Sequence, residues 1–121
     1  MLKKDLSIDR TGQKSAFSKL VYCAHSHYTI DRSKDIAVFV LKKGLIPLDP
    51  FLTIPPEVYE FVGIREEECV NTDIKLLEHC DELWIFGDGK TPGVSKETEW
   101  WKEHRTEPIK YFPWKEVPCV L

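Results

Sequence analysis

Two carboxylates, a phenol and a pair of imidazoles carry most of the chemical potential of this chain. Glu97 lies in GDGKTPGVSKETEWW (87–101), directly after the apolar run Glu82-Leu83-Trp84-Ile85-Phe86. Asp73 interrupts a helical seam on which Cys69, Leu76 and Cys80 recur. An ionised carboxylate on a buried seam is costly unless it is paired or used. The structural alternative is that Asp73 bonds a neighbouring loop. Tyr22 and the polar cluster His25-Ser26-His27-Tyr28 close the first apolar run of the chain. Acids, a phenol and imidazoles brought together are groups suited to nucleophilic attack and proton transfer.

Glu97 is expected in the first turn of a helix capped by Ser95 or Thr91, with Gly93 making the preceding turn. There the free N–H groups and the helix dipole would keep it a carboxylate. First-turn acids are also common for structural reasons alone, so position does not by itself assign a role. Glu99 points elsewhere around the same helix and is assigned to the surface. Glu66-Glu67-Glu68 reads as a solvated first helical turn. His25 and His27 alternate in an extended segment and point to opposite faces, which favours a polar pocket edge over a shared metal. His79 and His104 fall in last helical turns, where a cation complements the dipole. Trp84 is expected in the core, and at least one of the adjacent Trp100 and Trp101 outside it.

The elements that must position these residues alternate. Leu20 to Ala24 forms a strand. A helix runs from Asp31, as its cap, to Lys43, with Gly44 as its left-handed stop. Leu45 to Leu48 is a second strand, placed at a sheet edge because Pro47 cannot donate to a ladder, and Asp49-Pro50 closes it. A fifteen-residue excursion with Phe51, Tyr59 and Phe61 follows, with about one helical turn in it. A helix over 65–80, a strand over 82–86, a helix from Ser95 to His104 and a strand over 108–112 complete the order β-α-β-α-β-α-β. That order implies right-handed crossovers and a three-layer α/β fold of flavodoxin-like or Rossmann-like type, with a mostly parallel sheet of four or five strands in the order 2-1-3-4. Ligands of such sheets sit outside the strand carboxyl ends at the switch point, here between the first and third strands.

A length of 121 residues, 42% of them hydrophobic, predicts one domain able to bury a core. Residues 1–18 lack periodicity and are expected to form a polar arm before a domain over 19–121. The net charge of -3 gives no basic field for a nucleic-acid polymer, so a small ligand is the better expectation. The four cysteines form no CxxC pair, and Cys23, Cys69 and Cys80 fall inside apolar elements as reduced thiols would. No run of 18 apolar residues and no leader pattern occurs, which leads to the expectation of a cytoplasmic protein without metal, cofactor or membrane contact.

Val21-Tyr22, Asn71-Thr72-Asp73 with Asp81 eight positions on, Leu83 to Phe86, and Gly93-Val94-Ser95-Lys96-Glu97 occur in that order. In this the chain resembles the nucleoside 2-deoxyribosyltransferase-like superfamily over roughly residues 20–112. The resemblance implies that Glu97 is a nucleophile attacking the anomeric carbon of a nucleoside or nucleotide, that Asp73 handles the proton of the base or orients the sugar, and that Tyr22 is the hydroxyl beside the nucleophile. A covalent glycosyl intermediate would then pass to water or to a second base. His25, Ser26, His27, Tyr28, Asp49, Gly87, Thr91, Gly93 and Ser95 are the expected substrate-binding residues. The resemblance also implies a homodimer or higher homo-oligomer, since relatives complete their pockets from a neighbouring subunit.

The chain departs from that pattern in two places. Thr91 stands where the transferases carry an acid that binds sugar hydroxyls. His25-Ser26-His27-Tyr28 replaces the glycine-rich phosphate loop of the monophosphate hydrolases, and Ser26, a protonated histidine and loop N–H groups are a different way to hold a phosphate. Both departures also fit a second reading, a non-catalytic sensor or binding module for a nucleotide-like ligand on the same fold. A flavodoxin-like redox protein is disfavoured by the lack of CxxC and of a phosphate-binding turn.

Overall fold

The structure, a computed structural model, describes residues 18–120. The proposed polar arm therefore lies, apart from Ser18, outside the described residues.

Four parallel strands form one sheet in the order β2-β1-β3-β4, where β1 is Leu20–Ala24, β2 Ile46–Leu48, β3 Glu82–Phe86 and β4 Lys110–Phe112. Strand β1 is central, pairing Tyr22 with both Leu48 and Leu83. Because side chains alternate along a strand, β1 sends Val21 and Cys23 to one face and Tyr22 and Ala24 to the other. Helix α1 (Ser33–Lys42) covers the first face through Ile36 and Val40. Helices α4 (Glu66–Glu78) and α5 (Pro92–His104) cover the second through Leu77, Val94 and Trp101. The three-layer fold with sheet order 2-1-3-4 expected from the alternating pattern is present, with four strands.

Pro47 lies on the edge strand β2, as its missing N–H requires. Trp84 is in the core, its indole N–H donating to Glu82 at 2.8 Å. Trp101 is buried, and half-buried Trp100 stacks on His104, 4.6 Å between ring centroids.

Several boundaries differ from expectation for identifiable reasons. Asp31 caps nothing: Ser26 accepts the Tyr28 N–H and opens a 3-10 stretch over His27–Arg32, so α1 begins only at Ser33. The excursion after β2 holds two helices rather than one turn, α2 (Pro50–Thr53) and α3 (Pro56–Val62), each with a proline in its first turn. Asp49 caps α2, accepting from the Phe51 N–H at 2.9 Å. Helix α5 starts at Pro92 rather than Ser95, because proline at the first helical position gives up only an N–H that would have no partner. Gly93 is consequently helical. The turn out of β3 is made by Gly87 and Gly89, whose φ angles are +89° and +68°.

Candidate functional site

An open cleft of about 900 Å³ lies on the α4–α5 side of the sheet, roofed by α2 and α3. His25, His27, Tyr28, Asp73, Thr91, Gly93 and Glu97 all line it. Asp49 sits beneath it, buried against His25. Ser26 and Gly87 line an adjoining crevice instead, and Ser95 lines neither. Thr91 is the N-cap of α5 through its backbone, its carbonyl taking the Ser95 N–H, while its hydroxyl makes no capping bond and borders both spaces.

Glu97 is not in the first turn. Counted from Pro92 it falls in the second, on the same helical stripe as Val94 and Trp101, and is only 5% exposed. One carboxyl oxygen accepts from the hydroxyl of Tyr22, which rises from β1 with no exposed surface. Burial drives the Glu97 carboxyl up to about 8, against the stabilising Tyr22 bond, and the negative charges of Asp73 and Asp49 add to the rise. The expectation that the helix end keeps Glu97 ionised is therefore overturned: desolvation exceeds the dipole this far into the helix. Tyr22 itself is pushed well above the usual phenol range by burial and then by Glu97, so it stays a donor.

Asp73 projects from α4 into the same cleft, between the Cys69–Val70 stripe and the tip of α3. Its carboxyl rises to about 6, mainly through burial, with Tyr59 opposing and Asp49 reinforcing the shift. Tyr59 on α3 donates its hydroxyl to Asp73 over a long 3.4 Å, and burial and the charge of Asp73 raise that phenol to about 12. Asp73 thus both bonds a neighbouring element and faces the cleft.

His25 lines the cleft with only 3% of its surface exposed. Its Nε2 meets Asp49 Oδ2 at 2.7 Å and its Nδ1 pairs with Thr29 Oγ1 at 2.8 Å, while the Thr29 hydroxyl donates to the Ser26 carbonyl at 2.6 Å. This bonding pins the loop after β1 to the end of β2 and fixes Asp49 beneath the cleft. His27 packs on exposed Tyr28, 4.0 Å between centroids, and both line the cleft. Among the described residues no group of three or more His, Cys, Asp or Glu side chains is arranged to hold a metal ion.

Sequence reasoning missed Tyr59 as the partner of Asp73, and Phe51, Ile54 and Ile64 as the apolar wall opposite the acids. The aromatic series in the excursion was the available signal. Asp81, the second acid of the helix motif, accepts the Leu20 N–H at 2.7 Å and serves the start of β1 rather than the cleft.

Residues 19–112 match the model of a family described as a domain of unknown function (DUF7768). The chain belongs to this family. The matched stretch of DUF7768 runs from the residue before β1 to the end of β4, and so contains both acids, Tyr22, Asp49 and the whole cleft. Neither the curated proteins nor the solved structures give a match. No helix among the described residues is long and apolar enough to cross a membrane.

Proposed function

We propose that this DUF7768 chain cleaves or transfers at the N-glycosidic bond of a nucleoside or nucleotide, with Glu97 as nucleophile and Asp73 as its proton partner. The observation that carries the reading is the buried Glu97, oriented by the Tyr22 hydroxyl, in one cleft with a second acid of different proton affinity. The resemblance to the nucleoside 2-deoxyribosyltransferase-like superfamily points the same way.

Displacement of a base by a carboxylate needs one acid ionised and one protonated. With values of about 6 and about 8, the two carboxyls share one proton between those limits. The resting arrangement leaves that proton on Glu97. The productive one places it on Asp73, and the developing positive charge at the anomeric carbon favours ionised Glu97 at the moment of reaction. Below about 6 both acids are protonated and the nucleophile is lost; above about 8 both are ionised and the base leaves without a proton. Base release should therefore follow a bell-shaped pH profile with limbs near 6 and 8.

A non-catalytic binding module is supported by one observation, the uncommitted hydroxyl of Thr91 in place of an acid at the cleft wall. The deciding experiment is a chromatographic screen of deoxynucleosides, ribonucleosides and their monophosphates for released base, with Glu97→Ala in parallel. Ligand binding kept while base release vanishes supports the enzyme. Binding without base release by the intact chain supports the module.

A further inference from the structure

The crevice that adjoins the cleft lies between the ends of β1, β3 and β4, the switch point of the sheet, and has a volume of about 640 Å³. It meets the acid cleft at Tyr28 and Thr91, which line both. Together the two spaces exceed the range of about 300–1,000 Å³ that one drug-sized ligand fills. A sugar and its base in the acid cleft leave the crevice untouched.

The lining of the crevice indicates what else it takes. Phe86, Pro113 and Trp114 give it an apolar, partly aromatic base, far more than a phosphate group needs. Trp114 is held there by stacking on Phe86 and by the Arg32 guanidinium 4.8 Å from its ring centre. Gly87 lets the indole approach this closely, since a Cβ at this position would stand 2.8 Å from the Trp114 indole nitrogen. Exposed Lys90 supplies a cation beside the junction at Thr91, and Lys96 supplies one on the cleft side. The neighbouring Asp88 turns Oδ1 to the backbone N–H of Lys90, 3.1 Å away. An apolar seat for a flat ring, a cationic passage and an acid site form a continuous sequence.

Building on the glycosidic reading, we infer that the substrate is a two-headed nucleotide: two nucleoside units joined by a diphosphate, or a nucleoside diphosphate sugar. Its scissile glycosidic carbon lies between Glu97 and Asp73, its anionic bridge passes Thr91 beside Lys90, and its second head occupies the switch-point crevice. The crevice then sets substrate class, and the acids set the reaction.

The test uses the full chain carrying Glu97→Gln, so that turnover does not consume the ligand. Tryptophan fluorescence measures binding of adenosine, adenosine monophosphate, adenosine diphosphate ribose and nicotinamide adenine dinucleotide. The two diphosphate-linked ligands are expected to bind at least about tenfold more tightly than the monophosphate. Lys90→Glu, at an exposed position, should abolish that advantage and leave adenosine unaffected. Equal affinity for monophosphate and diphosphate-linked ligands overturns the inference, as does an advantage that survives Lys90→Glu. Base release is followed separately with the unaltered chain. The affinity pattern without base release from any of the four sustains the two-headed site and removes the glycosidic reading.

Discussion

Strand β1 faces two different interiors. Toward α1 its Val21 and Cys23 enter a layer closed by Ile36, Val40 and the aromatic group of Phe39, Trp84, Phe86 and Phe112, with ring centroids 4.9 to 6.4 Å apart. Toward α4 and α5, Tyr22 reaches past Ala24 and Val94 to a buried acid. The side chains that β1 sends to the first side meet an apolar layer. The second retains a phenol and a carboxyl, both of which cost desolvation energy that apolar residues of similar volume would avoid. Polar groups kept in a core against that cost single out the face on which the proposed activity is placed.

Substitutions on the two faces should therefore separate activity from stability. The largest effect is expected from Glu97→Gln, which removes the proposed nucleophile and should lower base release by about 10³-fold or more in steady-state assays. The same variant should gain stability in alkaline buffer. Glu97 has a higher proton affinity in the folded than in the unfolded chain, so its contribution is complete below about 4.5 and is lost as the pH rises through about 8. Thermal melts of the parent chain should fall across that window, and those of Glu97→Gln should fall less. Equal pH slopes for the two would break the contrast between the faces.

On the α1 side, Trp84→Ala should cost about 3–5 kcal/mol in denaturant unfolding. The ligand affinity of the folded fraction should be unchanged, because the tryptophan touches no part of the cleft. Tyr22→Phe is intermediate. It removes the donor to Glu97 and should cost about 1–3 kcal/mol of stability. Since the Tyr22 bond lowers the Glu97 value, its loss should also move the alkaline limb of the pH profile upward. The smallest change is expected from Tyr59→Phe, whose 3.4 Å bond to Asp73 is long: about 0.5–1 kcal/mol in stability and a small upward move of the acid limb, read from the same profile.

The parallel sheet was legible because strands alternate with helices, and its order is that of a doubly wound α/β sheet. Glu97 stands out in the sequence by its place after β3, but its environment differs from the one expected there. A cap at Ser95 makes it a first-turn acid held ionised by free N–H groups, whereas the cap at Thr91, the other candidate, places it on the Val94–Trp101 stripe. Those spacings of three and four residues were present in the sequence, and the proline was the missing signal. Asp73 was more readable because its seam already contained Cys69 and Cys80. The Asp49–His25 and Asp73–Tyr59 contacts join segments 24 and 14 residues apart, and no local period encodes them.

Pro47 has one further effect. The Ile46 N–H points inward, to the Lys19 carbonyl, so alternation along the three-residue strand β2 directs the next backbone nitrogen outward. That nitrogen belongs to proline and carries no hydrogen. The outer margin of β2 thus offers an incoming strand no amide donor of its own, and on that side the sheet is protected against edge-to-edge aggregation.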